Sequence, residues 1–192
     1  MQGGIHAWKG LIAEGPPESG AAYFSSAAKA EELIALAWWL EGGSRRFYSD
    51  LAAAMRDHEA KNLFEDLTAA EEHHQISLLK LYQDLSGPTS ESGFPGSVVS
   101  PEREGDVMEG GIRVSEAIEW AKGRSLAEIL EFSLSSEANS YDLYVKMEHQ
   151  MKDQRSAQVF HLLSGEEKQH LERLNALFEK RMQGASPTSP QA

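Results

Sequence analysis

From Ala27 onward, apolar residues return every three or four positions over four long stretches, which is the pattern of helices burying one face. Ser25-Ser26 offer an N-cap, and Ala27 to Met55 reads as one long helix with Ile34, Ala37, Glu41, Ser44, Tyr48, Leu51 and Met55 on its inward seam. A polar break near Asp57-His58 separates it from a second helix, Glu59 to Leu85, whose seam is Ala60, Phe64, Leu67, Glu71, His74, Leu78, Leu81 and Leu85. A third, Ser125 to Lys152, presents Leu130, Ser133, Glu137, Ser140, Tyr144, Met147 and Met151. The fourth, Arg155 to Met182, presents Ser156, Phe160, Leu163, Glu167, His170, Leu174 and Leu177.

A 39-residue connection, Ser86 to Arg124, joins the second and third helices; it opens with Gly, Pro and Ser and carries a short predicted helix over Ser115 to Lys122. Loops of that length are uncommon in compact domains. Two short-loop helical hairpins joined by a long crossover account for it, because a four-helix bundle of that topology needs a connection running its length. The expected fold is therefore all-α, a four-helix bundle.

The seams carry residues that do not belong in a core. Glu41, Glu71, Glu137 and Glu167 fall on them, with His74 and His170. The set is a repeat: Glu41, Tyr48, Glu71 and His74 recur ninety-six residues later as Glu137, Tyr144, Glu167 and His170, in a chain with only five Tyr and seven His. Four carboxylates in a bundle core would repel one another, and each loses hydration worth several kcal/mol. No Lys or Arg stands on the central seams to neutralise them, whereas two divalent cations would. One Glu from each of two helices, plus Glu-x-x-His from each of the other two, is a donor set for two metal ions. The i+3 spacing puts each Glu and its His on one helix face, a turn apart.

Smaller features attach to this site. Ser44 and Ser140 leave room for ions, three residues past the single Glu of their helices. Tyr48 and Tyr144 are either core aromatics or candidate catalytic residues whose hydroxyls reach a site carboxylate. His73 lies beside the seam, against the site or on the surface. Gly42-Gly43 costs roughly 1 kcal/mol per residue inside a helix, so a close helix contact or an access path for a small oxidant is expected there.

Composition narrows the partners. A net charge of −12 argues against nucleic acid and anionic membrane surfaces. No apolar run approaches the roughly 20 residues of a membrane-spanning helix, and no signal peptide opens the chain, so a cytoplasmic location is expected. There is no Cys, which excludes disulfides, thiolate metal sites and an Fe–S centre within the chain.

Between Lys29 and Met182 the chain resembles the rubrerythrin family of the ferritin-like superfamily, on the motifs Glu41-x6-Tyr48, Glu71-x2-His74, Glu137-x6-Tyr144 and Glu167-x2-His170. The resemblance implies a ferritin-like bundle over 25–183 with a non-haem centre of two iron ions. Its implied ligands are Glu41, Glu71, His74, Glu137, Glu167 and His170, with Glu71 and Glu167 bridging; manganese or zinc are alternatives to iron. It implies reduction of hydrogen peroxide or O2, with a homodimer as the family's habit. A ferroxidase or iron-handling role, a di-manganese catalase-like enzyme and a non-catalytic metal-stabilised module stay open beside it. The chain departs from the family twice. It lacks the Cys-rich rubredoxin module, so electrons must come from an external donor, rubredoxin-like or other. It also has Ser140 where the family tends to place a further Glu. Upstream, Gly3-Gly4-Ile5-x-Ala7-Trp8-Lys9-Gly10 resembles the last helix of a rhodanese domain; the resemblance implies that 1–24 is a leader left from a longer rhodanese fusion, with an ordinary Gly-rich leader as the alternative. The Pro/Ser-rich stretch 184–192 is expected to be disordered.

Overall fold

In the computed structural model, residues 29–87, 94 and 107–184 are described. The rhodanese-like leader 1–24, the cap expected at Ser25-Ser26 and the tail 185–192 lie outside them. The first helix, α1, runs Ala30–Ala54 and starts three residues later than the periodicity predicts. Lys29 is extended there, and its N–H is taken by the Glu32 carboxylate at 3.2 Å. The second, α2, runs His58–Ser86 and is started by Asp57, whose carboxylate accepts the Ala60 N–H at 2.9 Å. After the crossover come a 3₁₀ turn, Glu109–Gly111, and the short α3, Val114–Ala121. Helix α4, Leu126–Gln150, opens on a capping box of Ser125 and Glu128. Helix α5 spans Gln154–Gly184, so Gly184 closes a helix rather than beginning the tail. Asp153 accepts the Ser156 N–H at 2.8 Å, so the ninety-six-residue repeat extends to the caps, with Asp57 matching Asp153.

All five α-helices belong to the predicted architecture, and among the described residues there is no strand. Helices α1 and α2 form one hairpin, α4 and α5 the other, and α2 packs on α5. Both cross-hairpin pairings are antiparallel. Tyr144 meets Glu41 while Tyr48 meets Glu137, and His74 meets Glu167 while His170 meets Glu71. Ion pairs Asp84–Arg155, Asp66–Arg173, Glu59–Lys180 and Asp57–Arg181 continue the α2–α5 register along the outside. Exposed as most of these side chains are, each pair contributes about 0–1 kcal/mol.

The seams are buried almost throughout; Met55 and Met151 are half-buried and Leu85 is exposed, all three at helix ends. Apolar burial forms two clusters. One gathers Phe47, Leu51, Phe64, Leu67, Leu130 and Leu174 with Met108, Val114 and Ala117 of the crossover. The other gathers Ile34, Ala37, Leu40, Leu78, Leu81 and Phe160. The acidic residues occupy the layer between them. Among the described residues no helix is long and apolar enough to cross a membrane.

Candidate metal centre

All six seam residues are buried, Glu41, Glu71, Glu137 and Glu167 without any exposure. They converge as two quartets, Glu41–Glu71–His74–Glu167 and Glu71–Glu137–Glu167–His170, in each of which the donor atoms lie within 4.8 Å of one another. Glu71 and Glu167 belong to both. That sharing is what two adjacent ion positions with two common carboxylates require.

The hydrogen bonding shows why protons alone serve this cluster badly. His74 Nδ1 lies 3.0 Å from Glu41 Oε2, 3.0 Å from Glu71 Oε2 and 3.2 Å from Glu167 Oε1. One ring nitrogen cannot satisfy three carboxylates. His170 Nδ1 is in the same position, 3.1 Å from Glu137 Oε2 and 3.4 Å from Glu167 Oε2. Despite these approaches, none of the four carboxylate oxygens of Glu71 and Glu167 has a hydrogen-bond partner. A buried unsatisfied polar group costs about 1–3 kcal/mol, and four meet here. Hard oxygen donors with two imidazole nitrogens suit divalent first-row ions, so the cluster is compatible with a two-metal centre.

Glu41 and Glu137 differ from the shared pair in being held from outside. Tyr144 donates to Glu41 Oε1 and Tyr48 to Glu137 Oε1, each hydroxyl crossing to the other hairpin. Each Glu keeps Oε2 turned to its histidine. The tyrosine rings stack at 6.0 Å on Phe64 and Phe160, which are themselves repeat partners. Both tyrosines are thus core aromatics whose hydroxyls also contact site carboxylates.

Electrostatics divides the carboxyls in the same way. Burial pushes Glu71 up, and Glu41 beside it pushes further; burial and Glu137 do the same to Glu167. Burial also raises Glu41, but His74, Glu71 and Tyr144 more than offset it and hold the group below its ordinary value. Glu137 is likewise raised by burial and lowered further by Glu167, His170 and Tyr48, to about 2. Burial opposes the charge on His74, yet Glu41 and Glu166 hold it above its ordinary range. The metal-free core thus keeps its charge in check with protons, which bound cations would displace.

A pH dependence follows. Groups raised on folding (Glu71, Glu167 and His74) stabilise the fold below their ordinary values of 4.5 and 6.5 and lose that contribution as pH rises through their folded values. Glu41 and Glu137, lowered on folding, act in the opposite sense and only toward acid. As pH rises from the ordinary carboxyl value through and above the ordinary imidazole value, the chelated protein should therefore melt at progressively lower temperature. Metal should remove most of the slope. Circular-dichroism melts with chelator and with metal check this; a chelated melting point that rises with pH would contradict it.

Two carboxylates at the site have no counterpart in the sequence expectations. Glu166 Oε2 lies 2.7 Å from His74 Nε2, off the hydrogen-bonding direction, and the repeat places Ala70 at the matching position. Glu109, from the crossover, is fully buried, with Oε2 accepting from Ser44 Oγ at 2.9 Å and Oε1 3.1 Å from the Tyr144 hydroxyl. Ser140 also borders its carboxyl. The room expected for ions beside Ser44 and Ser140 is thus filled by Glu109, because a serine is short enough to admit a glutamate from outside the bundle. Gly110 and Gly111, at φ 76° and 75°, turn the chain just after Glu109, and Gly43 faces the Val107–Met108 backbone just before it. A Cβ on Gly43 would stand 2.3 Å from the Val107 carbonyl oxygen. Close contact is therefore what that glycine serves, and its partner is the crossover. Gly42 makes way for Gln75, which donates to the Trp38 carbonyl at 3.1 Å. His73 is exposed, on the surface side of its two readings.

Comparison with known proteins agrees with this architecture. A solved structure of a hypothetical protein from Pyrococcus furiosus is similar, with a TM-score of 0.63 and 25% identity, covering 86% of this chain and 95% of that one. No curated protein matches the chain. The family model for rubrerythrin matches residues 17–121 and 128–192, taking in all four long helices and every residue of the two quartets. With that match over most of its length, the chain belongs to the rubrerythrin family.

Proposed function

We propose that the protein is a non-haem di-iron oxidoreductase that reduces hydrogen peroxide, or O2, with electrons from an external donor. The observation that carries this reading is the set of four unpartnered oxygens on Glu71 and Glu167, shared by two Glu/His quartets in a buried core. Glu71 and Glu167 would bridge, with Glu41 and His74 completing one position and Glu137 and His170 the other. Four carboxylates then balance two divalent ions.

Bound there, two iron ions would supply two electrons in all, which with two protons account for conversion of one hydrogen peroxide into two waters. The chain's own residues do the rest. Tyr144 and Tyr48 occupy Oε1 of Glu41 and Glu137, leaving each carboxylate one oxygen, Oε2, toward the centre. Burial and the adjacent Glu137 or Glu41 push both phenols well above their ordinary value, so their protons stay in place at neutral pH. Apolar clusters on both sides keep bulk water away. With no Cys in the chain, the electron donor is a separate molecule or module.

Iron-loaded protein with a chemical reductant should consume one peroxide for every two electrons the reductant supplies and release no O2. An oxygen electrode beside a reductant assay separates the readings. O2 release without reductant would make the centre catalase-like, and continued oxidation of ferrous iron far beyond two per chain would make it a ferroxidase. Either result replaces the peroxidase reading.

A further inference from the structure

The sequence repeat gives the two halves of the centre the same ligating residue types, but Glu166 beside His74 and the crossover set them apart. It enters the bundle where Gly43 lets the Val107–Met108 backbone lie against α1. The Met108 N–H bonds the Ile112 carbonyl at 2.8 Å, and Gly111 N–H bonds Met108 at 3.0 Å, closing a tight loop around the 3₁₀ turn. Ser136 Oγ donates to the Glu109 carbonyl at 3.4 Å. Gly110, beside Asn139, takes the left-handed conformation that completes the turn. The outcome is one carboxyl delivered into the core, touching Ser44 and Tyr144.

The hydrogen bonds around that carboxyl assign its proton. Ser44 Oγ donates to Oε2 and accepts the Glu109 N–H at 3.5 Å. Tyr144 has a single proton, and its nearer acceptor is Glu41 Oε1. The second contact, to Glu109 Oε1 at 3.1 Å, closes as a hydrogen bond when Glu109 is the donor. A chain results: Ser44 to Glu109, Glu109 to Tyr144, Tyr144 to Glu41. On the other side, Tyr48 donates to Glu137, and its hydroxyl makes no contact with Glu109 among those described.

We propose that Glu109 is a positioning residue of the centre, acting through Tyr144 on Glu41, and that it makes the Glu41–His74 position the tighter of two inequivalent metal positions. This rests on the two-metal reading above. A neutral carboxyl donating to Tyr144 polarises the phenol toward Glu41 and fixes that side chain with Oε2 inward, as hydrogen-bonded partners of metal ligands do.

Cobalt(II), bound anaerobically, tests it. In His170→Ala protein, which keeps the Glu41–His74 position, Glu109→Ala should weaken cobalt binding about tenfold. In His74→Ala protein, which keeps the other position, the same change should alter it less than about twofold. Glu109→Gln should restore binding, since its amide donates to Tyr144 and its carbonyl accepts from Ser44. Tyr144→Phe should abolish the effect of Glu109→Ala. Equal losses in both backgrounds, or failure of Glu109→Gln to rescue, would overturn the proposal. If the histidine variants do not fold, Glu109→Ala with all six ligands intact should shift only one step of a two-step cobalt titration, and a shift of both or neither overturns it. Two cobalt ions bound with Glu109 without influence would remove this inference alone; no cobalt uptake by the unsubstituted chain would remove the two-metal reading.

Discussion

Glu71→Ala and Glu167→Ala made together should abolish binding of both ions, whereas Glu41→Ala should leave about one ion per chain. Each shared carboxylate serves both quartets, so the double variant strips two donors from each position and leaves one Glu and one His. The charge argument points the same way. Two carboxylates facing two divalent ions leave two positive charges uncompensated in a buried core, where unpaired charge costs several kcal/mol. Glu41→Ala removes a donor from one position only, and the Glu137–His170 position keeps all four of its residues. Metal analysis after dialysis decides the matter, with circular dichroism to show that the variants stay helical. Full occupancy in the double variant would refute the assignment of Glu71 and Glu167.

The largest effect on stability is expected from a glycine. In a helix interior Gly→Ala ordinarily stabilises by up to about 1 kcal/mol, and Gly165→Ala on exposed α5, with open space around its added methyl, should do so. Gly43→Ala should reverse the sign. Its Cβ would come within 2.3 Å of the Val107 oxygen and 2.7 Å of Met108 Cα, both backbone atoms that cannot turn aside. The crossover must lift away, at a cost of about 1–3 kcal/mol from overpacking, and Glu109 is withdrawn with it. Thermal or urea unfolding of the metal-free variants compares the two; a Gly43→Ala protein as stable as its parent would show that the crossover is not seated as described.

Much of the bundle was legible because each helix needs a single periodic face, and Glu41, Glu71, Glu137 and Glu167 interrupted four such faces at matching positions. The chemistry was readable from the same conflict: acids on an apolar seam need compensation. What could not be read lies off the periodic elements. Glu109 sits in a crossover without helical phase, so nothing in its local sequence marks it as buried, and its place depends on contacts with Gly43, Ser44 and Tyr144 that are distant along the chain. Glu166 is adjacent to a seam residue but reads as an ordinary solvated acid on α5; only the orientation of His74 in three dimensions brings the two together. The cap at Lys29 escaped for a different reason. Its N–H is satisfied by Glu32, a partner that composition alone does not distinguish from the other acids of α1.

The reaction with peroxide bears most directly on the function. Protein reduced anaerobically and holding two ferrous ions per chain is mixed in a stopped-flow instrument with one equivalent of hydrogen peroxide, and the absorbance of ferric iron is followed. One peroxide should oxidise both ions in a single phase, faster than O2 at the same concentration. A fully loaded protein that stays ferrous in the presence of peroxide would contradict the enzymatic reading and leave the ions with a structural role.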